Sequence, residues 1–249
     1  MADVSDSERD VDLFGHEYVQ DAPEVWKRLR SECPVAHTSR DGGGWLPTTY
    51  SDISSIAYDT ERFSSRDVGV VATPDGTSLL VAPPITSDPP FHTDARRILL
   101  PYFSPKAVED MREVTRSIAI ELLDAIDPSD IVDAAEEYAR YLPVRVIGSM
   151  IGLPEEDCEM FTRWAVDILQ SHADEWDRRT QATKEILEYF AVTIADRRRA
   201  PRDDLISKLQ AETLPNGDPL TDKHVLGTCF LLLVAGIDTT WSSIASNLL

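Results

Sequence analysis

Cysteine is scarce in this chain and scattered: Cys33, Cys158 and Cys229 form no C-x-x-C pair. That spacing gives no disulfide framework and no zinc site, and it fits a reducing cytoplasm. Basic residues are also short, 24 Lys and Arg against 44 Asp and Glu, for a formal net charge of −20. Such an excess repels nucleic acid and anionic membrane surfaces, so neither is an expected partner. Most of the acid reads as solvated surface, although a basic docking protein fits the sign. The first residues carry Asp3, Asp6, Glu8 and Asp10 and resemble no signal peptide, transit sequence or membrane anchor. There is no internal repeat. Asp41-Gly42-Gly43-Gly44 lacks the G-x-G-x-x-G spacing and following helix of a phosphate cradle. Ser149 directly follows Gly148, one place early for a G-x-S-x-G nucleophile elbow.

What the chain does have is one long apolar run, Val225 to Gly236, ending abruptly in Ile237-Asp238-Thr239-Thr240-Trp241. Apolar on every side, it predicts a helix buried all round, capped from Leu220-Thr221-Asp222. At about thirteen residues the run falls short of the roughly 20 that a membrane span needs. Within it, Ala235-Gly236-x-Asp238-Thr239 is out of place, because glycine weakens a helix and a buried carboxylate is costly unless paired or wetted. The Thr239 hydroxyl, four residues after Ala235, can take that carbonyl and bend the helix. Two readings of Gly236 stand side by side. Either its missing side chain admits a flat ligand beside an acid and an alcohol suited to moving protons, or it serves a tight helix crossing with Asp238 solvated at the helix end.

The rest of the chain reads as mostly helical with one small hairpin. Residues 1–20 are expected to be an acidic tail, with residues 21–249 forming one domain. Asp21-Ala22-Pro23 caps a helix through Arg30. Cys33–His37 and Trp45–Thr48 flank the glycine run as a hairpin, and another short helix runs from Tyr50 to about Asp59. Residues 64–87, rich in Ser, Pro, Gly and Asp, read as a functional loop or lid. Ser87-Asp88-Pro89-Pro90 then caps a helix on which His92 and Arg96 share one face, while Phe91, Ala95, Ile98 and Leu99 share another. Two hydrogen-bonding cations on one face suit a ligand with carboxylates, or else form a surface charge cluster. Pro101 breaks that helix, and Ser104-Pro105 starts an amphipathic one with Val108, Met111, Ile118, Leu122 and Ile126 as its stripe. Buried and long helices follow over 141–152, with Gly152 at the end, 154–170 and 176–199. Arg197-Arg198-Arg199 complements the last helix's dipole, and a shorter helix occupies 203–209.

Taken in order, Phe63-Ser64-Ser65, Asp88-Pro89-Pro90-x-His92-x-x-x-Arg96, Leu142-Pro143-Val144, Gly152-Leu153-Pro154, Asp204-Leu205-Ile206 and Ala235-Gly236-x-Asp238-Thr239 resemble the bacterial type of cytochrome P450, the haem-thiolate monooxygenases. The resemblance covers nearly the whole chain. It implies a mainly α cytochrome P450 fold, incomplete here, with helices through the central long one and a small N-terminal hairpin. It implies haem, with His92 and Arg96 on the propionates and Ala235 and Gly236 against the ring. Asp238 and Thr239 would relay protons during insertion of oxygen from O2 into a small organic substrate, with electrons from a ferredoxin-type or other donor. Phe230 and Val234 would face substrate. In the family a thiolate loop and a core E-x-x-R pair come after the central helix, and neither follows it here, so no metal ligand is assigned. The chain is expected to be an N-terminal portion that is inactive alone and exposes a large apolar patch. Two other readings are a non-catalytic helical module that binds an apolar molecule or partner, and a non-haem metal enzyme using His92 with Asp94 and His172 with Asp174.

Overall fold

The computed structural model describes residues 10–13, 15–39, 43–66, 81–127, 129, 131–170 and 175–248. The tail before Asp10, most of the predicted 64–87 lid and the pair His172 and Asp174 lie outside the described residues. The chain divides into two compact units, residues 1–80 with 86–89, and residues 81–85 with 90–249.

In the first unit, α1 (His16–Glu32) begins well before the predicted cap and contains it: Asp21 is non-helical, at φ −151° and ψ 68°. The cap signal was real, because the Asp21 carboxylate accepts from the Glu24 N–H at 3.2 Å. The turn before it was missed. It is held back onto the helix by Glu17–Arg28, 2.6 Å, and by Trp26 Nε1 donating to the Tyr18 hydroxyl at 3.1 Å. Strands β1 (Val35–Thr38) and β2 (Gly44–Pro47) pair antiparallel, Val35 opposite Pro47. Val25, Leu29 and Ala36 make the small core. Helix α2 (Tyr50–Tyr58) is capped by Thr49, whose oxygen accepts from the Asp52 N–H.

Asp88 does not cap the next helix as predicted. Its carboxylate accepts from Ser64 Oγ and the Ser65 N–H, both at 2.7 Å, and pairs with Arg66 at 3.1 Å. Two of the short motifs in the ordered set are thus tied to each other.

The second unit is built around α10 (Asp222–Leu248). Thr221 caps it through His224 N–H, and Val225, Cys229, Leu233 and Ile237 are buried completely. The helix packs against α6 (Tyr141–Ile151), α7 (Cys158–Leu169), α8 (Trp176–Arg199) and α9 (Leu205–Ala211). At 27 residues and mean hydropathy 1.5 it is long and apolar enough to cross a membrane; its packed face accounts for that composition as a core helix. Phe161, Trp164, Tyr189 and Phe190 fill the space between α7 and α8 with ring centroids 5.4–5.9 Å apart.

Helix α3 (Phe91–Leu99) buries Ala95 and Leu99 as its spacing predicts and starts at Pro90 with no side-chain cap. The predicted helix after Ser104 is two, α4 (Pro105–Asp110) and α5 (Arg112–Asp124), parted at Met111; of the expected stripe, Ile118 is buried and Val108 is exposed. A π-turn over Ala135–Ala139 was not foreseen. Gly152 ends α6 at φ +94°, the left-handed cap that glycine supplies.

Arg197 is a correction. It is no dipole cation at a helix end: it lies buried, donating Nε to Asp204 at 2.5 Å and Nη2 to the Gly152 carbonyl at 2.9 Å. Asp204 also caps α9 through the Ser207 N–H.

Candidate functional site

The site residues predicted near the end of the apolar run fall on different sides of α10, and the helix decides which. Ala235 and Thr239 are exposed, as are Ser242 and Ser246, so positions i, i+4, i+7 and i+11 form an open stripe of small and hydroxyl side chains. The Thr239 hydroxyl donates to the Ala235 carbonyl at 2.8 Å, the bond its spacing predicted. This part of the face is hydroxylic, and one turn earlier Leu231 and Leu232 are half-buried.

Gly236 is half-buried, and a Cβ there would stand 3.0 Å from Ile147 Cγ1 of α6, the contact that the helix-crossing reading expects. The closer backbone approach is at Gly227, which sequence reasoning passed over. A Cβ at Gly227 would stand 1.8 Å from the Val81 carbonyl oxygen, and Thr228 Oγ1 donates to the Pro83 carbonyl at 3.1 Å. The only sequence signal for it was a glycine inside a helix that otherwise has none before Gly236. Val234 is a core residue at 7% exposure, and Phe230 packs against that core.

Asp238 is half-buried beside the stripe, and Gln170, the residue that closes α7, donates Nε2 to its Oδ1 at 2.7 Å. No spacing rule could pair residues 68 apart. One turn on, Trp241 Nε1 donates to the Ala135 carbonyl in the π-turn at 3.0 Å, and the Arg140 guanidinium lies 5.7 Å from the Trp241 ring. These ties fix the rotation of α10 where Asp238 and Thr239 sit.

His92 and Arg96 share a face of α3, His92 half-buried and Arg96 exposed. Among the described residues neither makes a side-chain hydrogen bond or ion pair, whereas the neighbouring Arg97 is paired with Asp94 at 3.2 Å. The start of α3 rests on the start of α10 through Phe91 and His224, ring centroids 4.7 Å apart. Burial, then the charge of Lys223, holds His224 below the usual histidine range, so its ring packs neutral. Among the described residues no contact joins the α3 pair to Ala235, Asp238 or Thr239.

Two of the three cysteines are held protonated. Cys158 is pushed up to about 11, by burial first and Glu155 next, and burial raises the Cys229 thiol further. Cys33 is partly exposed, its thiol 3.4 Å from the Val35 carbonyl. Among the described residues no group of three or more His, Cys, Asp and Glu is arranged to hold a metal ion.

An unpaired histidine–arginine pair on one helix suits carboxylates, and an open stripe with an acid beside it suits proton traffic. If a haem were bound, the chemistry of His92 and Arg96 would suit its propionates. A helical protein built round one long central helix is the class this defines.

No family model matches the chain. The chain is similar to the polyketide biosynthesis cytochrome P450 PksS of Bacillus subtilis, 30% identical over 94% of this chain and 61% of the relative. It is also similar to 6-deoxyerythronolide B hydroxylase of Saccharopolyspora erythraea, 33% identical over the same shares, 94% and 61%. Among solved structures, cytochrome P450 CYP109Q5 from Chondromyces apiculatus superposes with a TM-score of 0.76 at 28% identity, over 94% of this chain and 59% of that one. The chain belongs to the bacterial cytochrome P450 family and spans about three fifths of the length of these relatives.

Proposed function

We propose that these residues are the N-terminal portion of a haem-dependent monooxygenase that inserts oxygen from O2 into a small organic substrate. The observation that carries this reading is the exposed face of α10, where the Thr239 hydroxyl rests on the Ala235 carbonyl beside the Asp238 carboxylate. Haem, when bound, supplies the redox chemistry and the activation of dioxygen.

The chain's own residues have four tasks. His92 and Arg96 hold the propionates, for which charge-assisted hydrogen bonds are stronger than neutral ones. Ala235 keeps the α10 face low enough for a flat ring to lie against it. Thr239 Oγ1 accepts a hydrogen bond while its own hydrogen is directed to the Ala235 carbonyl, and when that bond opens it passes its own hydrogen on as it takes another in the same step. Asp238 exchanges protons with solvent through its carboxylate. Gly236, turned to Ile147, supports this face from behind. Phe230 and Val234 shape the substrate side through the core they pack in.

The relatives' names, polyketide biosynthesis cytochrome P450 PksS and vitamin D(3) 25-hydroxylase among them, support a small organic substrate and no narrower class. Electrons come from a ferredoxin-type or other donor protein, and three free thiols suit the cytoplasm. The iron's thiolate comes from a segment beyond these residues, because Cys158 and Cys229 are buried and held protonated.

The test is the reduced carbon-monoxide spectrum. These 249 residues with haem are expected to show no thiolate-type Soret band, and the same residues joined to a C-terminal segment carrying the family's cysteine loop are expected to show one. In the joined protein, exchanging His92 and Arg96 for alanine is expected to weaken haem retention. A thiolate-type band from the 249 residues alone overturns the assignment of the ligand; full haem retention in the double variant overturns the α3 pair.

A further inference from the structure

We infer that Gln170 is a positioning residue for Asp238, holding its carboxylate in place through a neutral donor. The inference rests on the reading of Asp238 as a proton-handling group. The geometry is a single long-range bond, Gln170 Nε2 to Asp238 Oδ1 at 2.7 Å. Both ends are anchored. Gln170 closes α7, its backbone N–H still bonded to the Val166 carbonyl at 2.9 Å. On α10, Ile237 is completely buried on one side of Asp238, and Trp241 is tied to the π-turn one turn further on. With the backbone of residues 237–241 fixed in this way, the freedom left to the acid is rotation of its own side chain. Gln170 removes that freedom.

The donor's chemistry matters as much as its position. An amide N–H cannot give up its proton in the working range and carries no charge, so it orients the carboxylate without neutralising it. An arginine or lysine there would bind the charge more strongly and resist its protonation. A neutral donor leaves Asp238 Oδ2 as the atom that takes and returns a proton, while Oδ1 stays bound. The adjacent Thr239 is held independently, by its own bond to the Ala235 carbonyl. Acid and alcohol are thus set separately, and loss of Gln170 disturbs the acid alone.

The experiment uses the haem-loaded protein in which these residues are joined to the segment that supplies the thiolate, with the variants Gln170→Leu, Gln170→Lys and Asp238→Asn. Three measurements are made: ligand affinity by optical titration, product formed per reducing equivalent with its solvent deuterium isotope effect, and thermal melts of both single variants and the Gln170→Leu/Asp238→Asn double. Gln170→Leu is expected to lower coupling about fivefold to tenfold, the scale of one ordinary net hydrogen bond, and to raise the isotope effect. Ligand affinity should stay unchanged. Gln170→Lys, which still donates but carries a charge, should not recover the coupling, because it resists protonation of the carboxylate. In the melts the double variant should fall further than Asp238→Asn alone, because the asparagine Oδ1 still accepts from Gln170. Coupling and isotope effect unchanged in Gln170→Leu but lost in Asp238→Asn overturns the positioning role and leaves the acid's role standing. Both unchanged in Asp238→Asn removes the proton role of Asp238, and the inference with it.

Discussion

Glu185 shows how much a single side chain can concentrate. Its Oε2 accepts from the buried Trp164 indole and from Arg163, each at 2.7 Å, and its Oε1 from Gln181 at 2.9 Å. The bonds from Gln181, Trp164 and Arg163, in that order, hold its carboxyl at about 2 against an ordinary 4.5. A carboxyl depressed in the folded state contributes stability that is present above the unfolded value and lost as pH falls through the folded one. The window here runs from about 4.5 down to about 2. Urea midpoints measured across that range should show the wild type losing its advantage over Glu185→Gln progressively as pH falls. A constant difference between the two proteins from pH 7 to below 3 would show that the carboxylate's charge contributes nothing. Arg197 with Asp204 is the buried counterpart. Burial opposes the charge on Asp204, and the bonds from Arg197 and Ser207 outweigh it, so the carboxyl sits below its usual range. Removing one partner of such a pair typically costs about 3–5 kcal/mol, because the other charge stays buried. Neither role was visible in the sequence, where Arg197 is one of three consecutive arginines and only burial singles it out.

Between elements, the glycines of α10 rank by what crosses them. At Gly227 the neighbour is backbone, the Val81 carbonyl, 1.8 Å from where a Cβ would stand, and backbone cannot turn aside. At Gly236 the neighbour is the end of the Ile147 side chain at 3.0–3.3 Å, which can shift rotamer. Gly227→Ala should therefore cost more than the roughly 1–3 kcal/mol typical of overpacking and release the 81–85 segment. Gly236→Ala should fall at or below that range, since alanine also favours the helix. Denaturant melts of the two variants compare the costs directly, and equal losses would mean that the Val81 crossing yields as easily as a side chain. Helix existence was legible here: the spans read for α8 and for α6 with its Gly152 cap match closely, since long apolar periodicity and a left-handed glycine are local signals. What crosses a helix is not local. The first glycine of the apolar run and the one beside the acid look alike in sequence, and only the folded chain shows that the first carries the tighter contact.

At the scale of the whole molecule, the short motifs that mark the family turn out to be places where distant segments are fastened. Ser64 and Ser65 meet Asp88, and Arg197 joins Gly152 to Asp204. That is why their order along the chain carried the family and their individual roles stayed hidden: each motif holds half of a contact. An acid and an alcohol on one helix were legible in type, while the tie from Gln170 to Asp238 depended on tertiary structure. Charge is the other property that belongs to the whole. Many surface ion pairs lie one helical turn apart and are well exposed, such as Lys27–Glu24, Lys106–Asp110 and Arg112–Glu109. Exposed pairs of this kind are worth about 0–1 kcal/mol each and weaken with salt. Against them stands the self-repulsion of 44 acidic residues over 24 basic ones, a net −20, which salt also weakens but with the opposite effect on stability. At about 0.15 M salt the screening length is about 8 Å, longer than the ion-pair distances, so salt acts first on the longer-range repulsion. Screening therefore removes more repulsion than attraction. Calorimetric melts between low ionic strength and about 0.5 M sodium chloride should show Tm rising with salt. A falling Tm would mean that the local ion pairs dominate the surface electrostatics and that the acidic excess is spread too thinly to oppose folding.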